Sequence, residues 1–137
     1  LRNADLVGNV ANGSTSLGGA LLAMASTVAL RSVNVVGNNA LAGGALYSHN
    51  GAFDTAYSNF YDNGGVPFEG IADPVGTGGN VADDPLYIDV SAVDPLAWDL
   101  RLQGSSPVMD LGDPSTTDAD GSDTDIGAYG GQHGDDW

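Results

Sequence analysis

The sequence predicts an all-β chain that winds as a parallel β-solenoid of about three coils, followed by an irregular C-terminal cap. Three observations predict it. Two separate motifs recur at one and the same shift: Gly18-Gly19-Ala20-Leu21 returns as Gly43-Gly44-Ala45-Leu46, and Asn34-Val35-Val36-Gly37-Asn38 returns as Asn59-Phe60-Tyr61-Asp62-Asn63. A repeat in the twenties with several short strands per repeat suits stacked parallel coils. The composition agrees: Gly is abundant at 21 residues, Lys is absent, and Glu69 is the sole Glu among 18 acidic residues. Asp and Gly make tight turns, whereas Glu and Lys favour helix surfaces. Finally, apolar residues alternate within each repeat, as half-buried strands require.

Taken in order, Asp5-Leu6-Val7-Gly8-Asn9 is a first copy of the Asn-ended unit, set slightly further from the second copy than the second is from the third. The four extra residues fall in VANGSTSL, which reads as a lengthened turn. Leu21, Val28, Leu30, Val33, Val35, Leu46, Phe53 and Phe60 are the expected inward side chains. Asn38 and Asn63 stack at a turn and form an asparagine ladder. A helix over residues 17–36 would place Gly18, Gly19 and the β-branched residues badly and leave the recurrence unexplained. Residues 1–65 are therefore assigned to coils and residues 66–137 to a loop-rich cap. Within the cap, residues 66–80 read as a long loop and DDPLYIDV as a short strand with Leu86 and Ile88 inward and Tyr87 outward. Trp98, Leu100, Leu102, Val108 and Met109 are expected to cover the final coil, whose exposed edge would otherwise template aggregation. The first coil has no such cover, so the chain is expected to continue from upstream coils or to meet another chain or another copy there.

The net charge of -15 argues against nucleic acid, which needs a basic face. The longest apolar run, residues 20–30, is too short to span a bilayer. With no Cys, there is neither a disulfide framework nor a thiolate metal site.

The Asn-rich GGA coils, GGNVADDPLYIDV, LRLQGSSPVMDLGDP and DADGSDTDIGAYGG together resemble the C-terminal end of right-handed parallel β-helix repeat proteins of bacteria. The resemblance covers nearly the whole chain. It implies a right-handed solenoid in a secreted or surface-exposed protein, with a structural or adhesive role. It also admits the C-terminal part of a polysaccharide lyase or glycosidase whose active site lies upstream, because one fold hosts many functions.

One cluster stands out as a candidate site. Asp118, Asp120, Ser122, Asp123 and Asp125 place hard oxygen donors on a Gly-containing turn, which suits Ca2+, and Asp113 is a further donor nearby. The spacing departs from an EF-hand loop, and a solvated acidic turn held by carboxylate–backbone bonds is the alternative. No catalytic residue is assigned. Asp5 and Asp62 sit at related coil positions, where an inverting glycosidase would need carboxylates about 6.5–9.5 Å apart. A lyase would need a base, and the cations are Arg2, Arg31 and Arg101 alone. His49 and His133 read as turn and tail residues. Tyr47, Tyr57 and Tyr61 offer either a glycan-binding patch or ordinary cross-coil stacking.

Overall fold

Where the sequence repeats, the backbone pairs with itself. The structure is a computed structural model that describes residues 1–134. It is all-β, built on parallel sheets. One sheet holds β1 (Arg2–Val7), β3 (Thr27–Val36), β5 (Ala52–Ala56) and β6 (Asn59–Tyr61). The long β3 pairs with β5 through its first half, and with β1 and β6 through its second. A second sheet runs β2 (Leu21–Met24), β4 (Asn39–His49) and β7 (Gly64–Glu69). Leu21 lies beside Leu46 and Val35 beside Phe60, both at the shift that the two motifs share. Leu6 lies beside Val35, at the slightly longer shift of the first copy. The additional residues sit in the loop between the parallel bridges Val10–Asn39 and Leu17–Ala42.

The core takes side chains from both sheets. Leu30, Val33, Val35, Ala45, Leu46 and Phe60 are buried, with Leu21, Val28 and Phe53 half-buried against them. All eight expected inward residues are thus in the core. Phe60 meets Phe68 edge-on at 5.4 Å between ring centres, a favoured aromatic geometry.

In-register pairing forces each corner to repeat its backbone conformation. Asn3, Ser32 and Tyr57 form one column of left-handed residues, with φ of 47°, 53° and 51°. Gly8, Gly37 and Asp62 form another, at 66°, 64° and 51°. Such φ values are uncommon outside Gly and Asn/Asp, so their recurrence at one offset is imposed by the pairing. The paired glycines have a different reason. A Cβ on Gly44 would collide with the Gly64 carbonyl oxygen, and one on Gly19 with that of Gly44. Only a hydrogen fits between the successive backbones.

The asparagine ladder is present and has three members. Asn38 Oδ1 accepts from the Asn9 backbone N–H at 3.0 Å and from Asn9 Nδ2 at 2.9 Å. Asn63 Oδ1 accepts in the same way from Asn38, at 3.0 Å in both bonds. Asn38 Nδ2 also donates to the Leu6 carbonyl at 2.7 Å, and Asn63 Nδ2 to that of Val35 at 2.8 Å.

Three expectations for the C-terminal half are corrected. Residues 66–80 do not leave the body, and only residues 70–80 of them are loop. β7 runs to Glu69, and the following segment lies along the open side of β6. There Tyr57 N donates to Gly78 O at 2.9 Å, Phe60 N to Val81 O at 2.9 Å and Val81 N to Ser58 O at 3.0 Å. Ile71 and Val75 close onto the core. Asn80 makes this possible: its carboxamide accepts from Ser58 N at 3.1 Å and donates to Thr55 O at 3.0 Å, satisfying groups that a strand edge leaves open.

Nor does the remainder of the chain cover the final coil. β8 (Tyr87–Asp89) and β9 (Asp99–Leu102) form a small antiparallel pair. The strands and the segment after them lie over the outward face of β1, β3 and β6. Trp98 rests at Gly8, beyond the end of β1, and Ile126 N, bonded to Val108 O at 3.2 Å, leads into contacts with β3 and β1. The inward–outward order in β8 is likewise reversed: Tyr87 is buried and Ile88 exposed. Leu86 has φ of 50°, which breaks the strand alternation just before Tyr87.

Asn38→Ala removes four hydrogen bonds: both Asn9 amides lose their acceptor, the Leu6 carbonyl loses the Asn38 donor, and Asn63 Oδ1 loses one of its two donors. It is expected to lower the unfolding free energy by about 2–4 kcal/mol, read from urea denaturation.

Candidate functional site

Outward residues of β1, β3 and β6 stand in columns across the sheet. Asp5 pairs with Asn34, and Asn34 with Asn59. On an open sheet these would face water. Here the C-terminal layer covers them, and each finds a partner in it. Asp5 accepts from the Tyr87 hydroxyl at 2.6 Å and from the Ala128 N–H at 2.8 Å. Asn34 Nδ2 donates to Ile126 O at 2.9 Å, and Asn59 exchanges two bonds with the Asp83 backbone, at 2.8 and 2.9 Å. One corner along, Ser32 Oγ accepts from Asp113 N at 2.8 Å, and the Ser32 carbonyl from Gly127 N at 3.1 Å. Burial is the largest influence on Asp5 and raises its pKa above the ordinary carboxylate value, against the lowering effect of its hydrogen bonds to Tyr87, Ala128 and Asn34. Tyr87 is pushed far above the ordinary phenol range, first by burial and then by the neighbouring Asp5 charge.

The acidic turn forms a rim of this layer. Its carboxylates are largely engaged with the chain's own backbone. Asp118 accepts from the N–H of Asp125 at 3.2 Å and from the N–H of Gly131. Asp120 Oδ1 accepts from the Ser122 hydroxyl at 2.6 Å and from Ser122 N at 2.9 Å, which lowers its pKa. Asp125 accepts from Asp110 N at 2.7 Å; burial raises its pKa, and the charges of Asp118, Asp110 and Asp120 add to the rise. Asp123 pairs with Thr117 in an antiparallel bridge. Asp113 lies elsewhere, bonded to Ser115 N at 3.0 Å and to Arg2 at 3.0 Å. Asp110, Asp118, Asp120, Ser122 and Asp125 line a cleft of about 410 Å³ with Arg101 at its edge. Among the described residues, no three acidic, His or Cys side chains are arranged to hold a metal ion. A calcium shell here would share its carboxylates with the N–H donors already bonded to them.

The other candidates are dispersed. Asp5 shares its column with Asn34 and Asn59, whereas Asp62 belongs to the Gly8–Gly37 column, so the two carboxylates are not equivalents. Arg2 pairs with Asp113, Arg31 with Asp54 at 2.7 Å, and Arg101 with Asp99, whose pKa falls to about 2. His49 ends β4, exposed, and His133 borders a second cleft on the other side of the acidic turn, lined by Thr117 to Gly121. Tyr47 is on β4, in the other sheet from Tyr61, and Tyr57 packs at Gly79. The covered polar column escaped sequence reasoning, although Ser32, Asn34 and Asn59, small polar residues at outward strand positions, were its visible trace.

Two measurements follow. Because Asp5 holds its proton more firmly when folded than when unfolded, its contribution to stability is complete below the ordinary carboxylate pKa and is lost as pH rises through the raised value. Asp5→Asn removes one of two hydrogen-bond acceptors at every pH, so the readout is slope rather than offset. Its melting temperature, relative to the parent protein, is expected to climb as pH rises from the ordinary carboxylate value of 3.8. For the acidic turn, calorimetry of Ca2+ into chelator-treated protein separates the two readings: a saturable heat at or below about 1 mM is expected of a calcium loop, and none of a hydrogen-bonded turn alone.

Comparison with protein-family models, with curated proteins and with solved structures returns no match to this chain.

Proposed function

We propose that this chain is the terminal part of a right-handed parallel β-helix in a secreted or surface-exposed bacterial protein, with a structural or adhesive role. The parallel register of β1 on β3, and of β3 on β6, supports the winding. The handedness and the location rest on the resemblance of the coil and C-terminal motifs.

The observation that carries the role is the contrast between the two ends. At one end Ile71 and Val75 pack onto the core and residues 78–81 pair beside β6, while β7 keeps an open edge along its length. At the other, β1 and β2 are edge strands, and Leu1, Val10, Leu17, Leu22 and Met24 are all exposed beside them. Unpaired strand edges with apolar side chains favour pairing with further strands. Upstream coils would occupy this edge in a longer protein, and another chain or another copy would do so otherwise. The lyase or glycosidase alternative draws no support from the arginines, since each is ion-paired with an aspartate.

Sedimentation at low and high salt tests this reading. The charge of -15 opposes contact between copies, and salt screens it, so association at tens of micromolar is expected to rise with salt. Leu22→Glu, on the edge strand, is expected to abolish it. A strict monomer under both conditions counts against the open edge.

A further inference from the structure

Beside the polar column runs an apolar one. Val7 pairs with Val36, and Val36 with Tyr61. The C-terminal layer spans this column without closing over it, leaving a cleft of about 440 Å³. Volumes of roughly 300–1,000 Å³ are those of small-ligand sites. Tyr61 and Trp98 supply aromatic surface to the cleft, and Asp84 and Gln103 supply polar groups.

The aromatic element is held in place. Trp98 Nε1 donates to Ala92 O at 2.8 Å, and the far edge of the indole lies 3.1 Å from where a Cβ on Gly8 would stand. A side chain at Gly8 would displace the ring. The polar groups are each anchored through one atom. Asp84 Oδ1 accepts from Leu86 N at 3.0 Å, and Gln103 Nε2 donates to Tyr87 O at 2.9 Å. The second oxygen of Asp84 and the carbonyl oxygen of Gln103 have no protein donor among the described residues, so both are acceptors for a ligand's hydroxyls.

We propose that this cleft binds a non-acidic saccharide. A sugar ring combines an apolar C–H face, which stacks on aromatic rings, with an equatorial fringe of hydroxyl donors. The cleft offers aromatic surface and hydrogen-bond acceptors together. Its one charged group is a carboxylate, and the whole chain carries -15. Uronates and sulfated sugars are therefore repelled, while neutral and amino sugars are not. The inference is independent of the open edge and of the parent protein's role.

Gly37 provides a test that spares the fold. It lines the cleft, and a Cβ there would meet nothing within 4 Å. Its φ of 64° is matched by Asp62 in the same column, and Asn tolerates that region. Gly37→Asn therefore places a side chain in the cleft while keeping the corner. The probes are a neutral β-glucan hexamer, a glucosamine hexamer and an oligogalacturonate, titrated by calorimetry with the full chain. The neutral or the amino oligomer, or both, is expected to bind with a Kd at or below about 1 mM, and the oligogalacturonate not to bind. Gly37→Asn is expected to weaken binding at least tenfold with its melting temperature maintained, and Trp98→Ala to weaken it as well. The proposal is overturned if neither non-acidic oligomer binds, if the oligogalacturonate binds as tightly, or if a folded Gly37→Asn protein binds like the parent.

Discussion

Parallel in-register stacking is the constraint on which this structure depends. Residues of β3 lie beside their counterparts in β1 and in β5 and β6, and those of β2 beside β4, so whatever the backbone does at one of these corners it must do again at the next. The pairing of β4 with β7, by contrast, slips by up to three residues. Ser32 and Tyr57 adopt left-handed φ values because Asn3 does so in the same column. Asn9, Asn38 and Asn63 satisfy one another and the adjoining carbonyls by the same logic. At Gly19 and Gly44 glycine is required because successive backbones nearly touch.

A second principle is laid over the first. The outward face of β1, the latter half of β3, and β6 is polar enough for water yet largely withdrawn from it. The C-terminal layer covers it and replaces water's hydrogen bonds with those of Tyr87, Asp83, Asp113, Ile126, Gly127 and Ala128. This explains why β3 is buried on both sides from Ser32 to Val36, although its sequence alternates polar and apolar residues. Burying those groups is tolerable only because nearly every one is paired. Asp5 remains costly even so, as its raised pKa records.

The repeated elements were legible in the sequence because periodicity is a direct trace of pairing. The shift shared by GGAL and the Asn-ended unit located the register, and alternation located the inward residues from Leu21 to Phe60. The layer beyond residue 66 was legible only in outline. Its placement depends on individual hydrogen bonds between distant residues, and no local pattern encodes them. Tyr87 illustrates this: alternation turns it outward, but a left-handed Leu86 and a partner at Asp5 turn it inward. The carboxylates at Asp118 and Asp120 were correctly grouped as one turn, but which backbone amides they would serve depended on folding that spacing does not reveal.

The bond between Asp5 and Ala128 joins residues 123 apart in sequence, and that between Ser32 and Asp113 joins residues 81 apart. Stacks of repeats usually fold and fray one unit at a time, because each unit touches only its neighbours. This chain cannot come apart in that way. Residues 126–128 are bonded to both β1 and β3, so peeling them off exposes polar groups on both strands at once. The molecule should behave as one cooperative unit, and its folding should wait on contacts of long sequence separation, which form slowly.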